Sequence, residues 1–338
     1  MMRRTFGRAA LVASALLAGF GPAMAQDVAP AIVFDMGGKF DKSFNEAAYT
    51  GAERFKRETN IQYREFEITN EGQREQALRN MARRGATVVV AVGFSQRSAV
   101  ERVAPEFPQV KFSIIDSVID MPNVNSTLFR EHEGSFLVGV AAGLATRSNR
   151  VGFVGGMDIP LIRSFGCGFI QGVRSVNPQI EVFQNMTGTT PAAFRDPTRG
   201  GELARSQFDR GADVIYAAAG ATGLGVLQAA KDAGRLGIGV DSNQNHLHPG
   251  SVLTSMLKRV DVAVFNAFKS AQDGSWRPGT TVLGLKEEGV GWALDEHNRR
   301  LISADMETRI NQARQQIIAG TIQVIDSRTL EGGNCPIR

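Results

Sequence analysis

The sequence predicts an α/β protein built as two similar lobes, each a parallel sheet with helices on both faces. Three observations carry this. Short apolar runs alternate with helical stretches from residue 31 onward, the rhythm of strand–helix–strand units. The chain also repeats itself. Arg84-Gly85-Ala86-Thr87-Val88-Val89 answers Arg210-Gly211-Ala212-Asp213-Val214-Ile215, Ser43-Phe44 and Gly51-Ala52 answer Ser164-Phe165 and Gly172-Val173, and Asp116 answers Asp241, at offsets of 126, 121 and 125 residues. Finally, residues 26–338 exceed what one hydrophobic core usually holds, so two domains are expected.

Taken in order, AIVFD (31–35) opens the first sheet. A helix follows from Ser43-Phe44-Asn45-Glu46, read as a capping box in which Glu46 reaches back to Ser43. IQYREFEI (61–68), TVVVAV (87–92) and VKFSIID (110–116) are the next strands, with Gly85 closing a helix before the second of them. In the other half the strands are RVGFVG (150–155), IEVFQNM (180–186), DVIYAAA (213–219) and LGIGV (236–240). Asp196-Pro197 opens a helix that Gly211 closes, and Gly234 closes another. A helix is expected over 260–273. Strand-like segments near 125–131, 248–257 and 280–285 are read as passages from one lobe to the other.

Residues 1–25 carry Arg3, Arg4 and Arg8, an apolar stretch from Ala9 to Phe20, and Ala23-Met24-Ala25 in an A-x-A pattern. That is the form of a secretory signal peptide, with an apolar part too short to span a bilayer. Export is therefore expected, with cleavage after Ala25 and no cysteine at that junction for a lipid anchor. The formal charge of +4 falls to +1 once those three arginines are removed, so composition gives no argument for a nucleic-acid partner or an anionic membrane surface. Cys167 and Cys335 remain in an oxidising compartment and are expected to pair, a staple closing a long loop; the alternative is two separate thiols.

In open parallel sheets ligands bind beyond the carboxyl ends of the strands. Those ends carry Asp35, Gly93-Phe94, Asp116, Gly155-Gly156, Gly220 and Asp241, with Phe44 and Asn45 at a helix start on the same edge. If the lobes face each other, these residues line one cleft. The acids supply acceptors for hydroxyl or amino groups, and Phe44 and Phe165 offer faces for a flat ring. Plainer readings stand beside these: an Asp at a strand end is commonly a turn former, and a Phe is commonly core.

The run Asp35-Met36-Gly37-Gly38-Lys39-Phe40-Asp41-Lys42-Ser43-Phe44-Asn45 resembles the opening motif of the basic membrane protein family, receptors of ABC importers with a purine-nucleoside branch. The resemblance continues through GFSQ (93–96), SIIDS (113–117), EGSFLVGVAAGLAT (133–146), VGFVGGMDIPLIRSFGCGF (151–169), AAAGATGLGV (217–226), GVDSNQ (239–244) and TSMLKRVD (254–261). It implies a type I periplasmic binding protein, two Rossmann-like lobes joined by three crossovers. The first lobe would take 26–128 and about 255–280, the second 129–254 and about 281–338. It also implies a periplasmic, monomeric receptor without cofactor or catalytic residue, whose partners are a purine nucleoside and an inner-membrane permease. Carried over by position, Asp35 and Asn45 would read the base, Phe44 would stack on it, and Asp116, Asp241 and Lys258 would hold the ribose. Phe94, Phe165 and Gly220 complete the candidate set. Asn243 departs from the family pattern, where many members have Asp.

Two alternatives stay open: a binding protein for a pentose or free base, and an exported nucleoside hydrolase. The hydrolase would want a cluster of metal-binding aspartates close in sequence. Asp241-Ser242-Asn243-Gln244-Asn245 imitates half a calcium loop but places His246 at position six and Val252 at position twelve. The His246/His248 pair lacks a third ligand, and Gly220–Gly225 has GxxGxG spacing, not the dinucleotide fingerprint. No metal site is expected.

Overall fold

A computed structural model describes residues 28–335; the leader expected over 1–25 lies outside them. β1 (Pro30–Phe34) leads to α1 (Phe44–Thr59), edge strand β2 (Arg64–Glu67), α2 (Arg74–Arg83), β3 (Val88–Ala91), α3 (Arg97–Val103), β4 (Lys111–Ile115) and β5 (Val124–Phe129). The chain then passes into α4 (Glu131–Ala145), β6 (Arg150–Met157), α5 (Pro160–Val176), β7 (Glu181–Gly188), α6 (Pro197–Asp209), β8 (Val214–Ala218), α7 (Thr222–Asp232), β9 (Leu236–Asp241) and β10 (Val252–Lys258). It returns through α8 (Val260–Asp273) and β11 (Gly279–Leu283), then ends with β12 (Val290–Trp292), α9 (Ala304–Ile318) and a tail.

The strands form two sheets, ordered β11-β5-β4-β3-β1-β2 and β12-β10-β9-β8-β6-β7. Exchanging each strand for its counterpart converts one order into the other, which is the internal repeat in three dimensions. Central strands β1, β3 and β8 are buried along their whole length and read as unbroken apolar runs, as a parallel sheet covered on both faces requires. The two halves differ at the last strand. β11 runs parallel to β5, whereas β12 runs antiparallel to β10. The chain leaves β11 at the end where the lobes join, so the strand it makes in the second sheet starts at that end and runs the opposite way.

Three passages join the lobes, after Phe129, after Lys258 and after Leu283. The middle one falls later than the limit near 255 read from the sequence, because β10 pairs with β9 as far as Leu257 opposite Asp241. The passages are tied to one another. Arg130 N donates to Leu283 O at 3.0 Å, Leu285 N to Glu133 Oε2 at 2.8 Å, and Arg259 N to Gly289 O at 2.8 Å.

α4 leads out of the first passage and packs closely on α5. The approach depends on glycine: a Cβ at Gly172 would collide with the Phe136 carbonyl, and one at Gly168 with the His132 backbone. A helix that starts at the hinge is thus locked to one whose first turns face the other lobe. Cys167, buried on α5, is bonded to Cys335 in the tail, with Cα atoms 5.2 Å apart. Replacing Cys335 by Ser should lower the unfolding free energy by ~2–4 kcal/mol, since the bridge closes a long loop in the unfolded chain. A denaturant titration matching the wild type would contradict that role.

Candidate functional site

The carboxyl ends of the central strands of both sheets face one cavity between the lobes. All nine candidates border it: Asp35, Phe44, Asn45, Phe94, Asp116, Phe165, Gly220, Asp241 and Lys258. Asp41, Met36, Leu161, Ile162 and Phe194 also border it and were not read from the sequence.

Lys258 defines the floor. It ends β10 and is 2 % exposed, with Nζ 2.7 Å from Asp116 Oδ2 and 3.0 Å from Glu131 Oε1. The rings of Phe44, Phe129 and Phe165 surround the ammonium, their centroids 5.2, 5.0 and 5.6 Å from Nζ. Desolvation alone would push a buried lysine toward neutrality; the three carboxylates Asp116, Glu131 and Asp241 hold its pKa above the usual lysine range. Asp116 and Asp241 sit at the same place in the two sheets, and both have left-handed backbones, φ 67° and 63°. Non-glycine residues are uncommon there, so the carboxylates are retained where glycine would be easier.

Asp35 stands at the end of β1. Both its oxygens accept from Ser95 Oγ at 2.7 Å, Oδ1 accepts from Met36 N at 2.8 Å, and Arg74 Nη2 lies 3.6 Å from Oδ1. Burial nevertheless raises its pKa above the ordinary aspartate value. Gly93 leaves the room: a Cβ there would meet the Asp35 carboxylate.

The start of α1 differs from the capping box read in the sequence. Ser43 makes no side-chain cap. Asp41 accepts from the backbone N–H groups of Ser43, Asn45 and Glu46 at 2.8, 3.0 and 3.1 Å, and Glu46 reaches back to Lys42 N instead. A carboxylate two residues upstream takes the free N–H groups that Ser43 was expected to take. Ser43 is released to cross the cleft, donating to Asp241 Oδ2 at 2.5 Å. Ser242 Oγ donates to Ser43 O at 2.8 Å and Gln244 Nε2 to Lys42 O at 2.9 Å, so the lobes are clasped.

Asn45 is also occupied. Its Oδ1 accepts from Asp35 N at 3.1 Å, while Nδ2 lies 3.3 Å from both Asp35 O and Asp41 Oδ2. It braces the loop that carries Asp35. On the second lobe, Phe194 leans over the cleft and meets Phe94 edge-on, ring centroids 6.4 Å apart. A Cβ on Gly156 would strike the Phe194 ring, and Gly220, at φ 56°, lies against its backbone and Cβ. The glycines at these strand ends therefore seat an aromatic ring. Phe194 lies in a short turn without periodicity, and only those glycines hint at it.

Burial raises Asp41, Asp116 and Asp241 to about 6. A carboxyl raised above its unfolded value takes up a proton on folding between the two values. It therefore costs stability above that interval and nothing well below it. Asp241→Asn should be more stable than the wild type at pH 7.5 by ~1–3 kcal/mol, an advantage that shrinks toward pH 4. Thermal melts showing the same difference at both pH values would contradict this.

The comparisons establish the family and the fold. Residues 29–328 match the family model for PnrA-like ABC transporter substrate-binding proteins (Bmp). The chain is 32 % identical over 321 residues to the ABC transporter nucleoside-binding protein BmpA of Lactococcus lactis, covering 88 % of this chain and 89 % of that one. It is 37 % identical over 288 residues to an uncharacterized lipoprotein of Pyrococcus abyssi, covering 80 % and 70 %. Among solved structures, an ABC transporter solute-binding protein of Aeropyrum pernix superposes with a TM-score of 0.81 at 31 % identity, covering 88 % and 93 %. These relatives correct the expected localisation free in the periplasm: Pyrococcus horikoshii and Pyrococcus furiosus counterparts are also described as lipoproteins. The reason is physical, since the two-lobed fold serves equally well on a lipid tether, and the cleft does not encode the compartment. With a match over most of its length, the chain belongs to the PnrA-like (Bmp) family of ABC transporter substrate-binding proteins.

Proposed function

We propose that the protein captures a purine nucleoside in the inter-lobe cleft and presents it to the permease of an ABC importer. The observation that carries this reading is the pairing of two unlike surfaces in one cavity. Phe44, Phe94, Phe165 and Phe194 form aromatic walls, and Asp116, Asp241 and Lys258 form a charged floor. A nucleoside is a flat, apolar-faced base joined to a hydroxyl-bearing sugar, and it needs both.

In this reading the base lies against Phe44 and the second-lobe rings, and Asp35 accepts from its N–H edge. Asn45 acts through Asp35, because its own amide is already bonded. Asp116, from the first lobe, and Asp241, from the second, accept from ribose hydroxyls, while Lys258 donates and balances their charge. Asp116 Oδ1 has no hydrogen-bond partner among the described residues, which leaves one acceptor for such a hydroxyl. The carboxylates hold the sugar and do no chemistry on it. The name of the Lactococcus relative, a nucleoside-binding protein, supports the same ligand class.

Calorimetry with nucleosides and free bases tests the assignment. Phe44→Ala should weaken inosine and hypoxanthine alike by ~1–3 kcal/mol, the scale of one base–aromatic contact. Asp241→Ala should weaken inosine far more than hypoxanthine, and removing the sugar hydroxyls should cost ~1–3 kcal/mol per unpaired acid. Tight binding of a free pentose without binding of adenosine, guanosine or inosine would overturn the reading.

A further inference from the structure

A line of alternating charges runs from the cleft through the hinge to the C-terminal tail. Asp116 Oδ2 lies 2.7 Å from Lys258 Nζ, Nζ lies 3.0 Å from Glu131 Oε1, and Glu131 Oε2 lies 3.0 Å from Arg328 Nη1. The four residues come from the end of β4, the end of β10, the first residue of α4 and the tail beyond α9. Glu131 is fully buried. Arg328 closes the line from outside and also binds Asp326 and the Phe129 carbonyl, the latter at 3.1 Å. The tail is fixed in place by the Cys167–Cys335 bond and by Gln171, which donates to Ile325 O at 3.0 Å and accepts from Ile325 N at 2.8 Å.

We infer that Arg328 is a positioning residue of the binding site: by pairing with Glu131 it fixes how Lys258 divides itself between Glu131 and Asp116. A buried carboxylate needs a counter-charge. With Arg328 in place, two cations serve Glu131, Asp116 and Asp241. Without it, Lys258 serves all three, and Glu131, from which no solvent is reached, competes for the ammonium. Asp116 then loses its partner and takes up a proton more readily, and a protonated acid accepts fewer hydroxyls. The charged and titratable groups facing Asp116 are Lys258 from β10, Glu131 from α4, Asp241 from β9 and Arg328 from the tail. Those around Glu131 are Asp116, Lys258, Arg328, His132 of its own helix, Asp241 and Tyr216 of β8.

The effect on affinity rests on the nucleoside reading; the effect on Asp116 does not, and the experiment separates them. The whole protein is made as wild type, Arg328→Gln, Arg328→Lys and Arg328→Gln with Glu131→Gln. Carboxyl-carbon NMR follows the Asp116 titration in ligand-free protein, and calorimetry follows inosine binding across pH. Arg328→Gln should raise the Asp116 titration midpoint by about one unit, weakening inosine by about twofold at pH 7 and by up to about tenfold at pH 5, below both midpoints. Arg328→Lys should behave as the wild type. Adding Glu131→Gln should restore both readouts, because the competing carboxylate is gone, and this double variant keeps the test decisive if Arg328→Gln alone does not fold. An unmoved Asp116 midpoint, or equal weakening in Arg328→Lys, overturns the inference. A shifted midpoint in a protein that binds no nucleoside sustains the inference and overturns the nucleoside reading.

Discussion

The structure turns on one buried ammonium. Lys258 leaves β10 where the chain passes from the second lobe to the first, and it lies between a carboxylate from each side. Burying two charges as a pair is expensive, and a well-packed apolar group would often serve stability as well or better. The pair therefore argues for use. Because Asp116 comes from the first lobe while Lys258 and Asp241 come from the second, the floor of the cleft exists only when the lobes are brought together.

The same constraint accounts for the strain nearby. Asp116 and Asp241 hold left-handed backbones at corresponding strand ends, and burial raises both toward pH 6. Each property is unfavourable for an aspartate with no partner. They are tolerated because a Lys258 ion pair holds one and a Ser43 hydroxyl the other. In the proposed reading, groups held in this way accept sugar hydroxyls without first being stripped of water.

The α/β class, the two lobes and the strand ends were legible in the sequence because they rest on local patterns: apolar runs, helix-ending glycines and a repeat. Seven of the candidate residues followed from the topology rule, Phe165 from the internal repeat and Lys258 from the family resemblance alone, and the structure brings all nine to one cavity. What could not be read depends on partners distant in sequence. Ser43 looked like a helix cap but faces Asp241 across the cleft, since Asp41 caps the helix. Asn45 looked like a free amide but braces Asp35. Glu131 and Arg328 sit next to ordinary neighbours in sequence, and only the convergence of hinge and tail makes them partners. The compartment was misread for a related reason: a leader sequence speaks of export and not of how the receptor is held.

A ligand that joins Asp116 to Asp241 and Lys258 joins one lobe to the other, so ribose recognition and closure are one event in this account. In the proposed reading the aromatic walls grip a base, but a base alone does not complete the charged floor. Small-angle X-ray scattering of the protein saturated in turn with inosine and with hypoxanthine tests this directly. The account predicts a smaller radius of gyration with inosine than without ligand, and little change with hypoxanthine. An unchanged radius with inosine bound, or equal compaction by the free base, would contradict it.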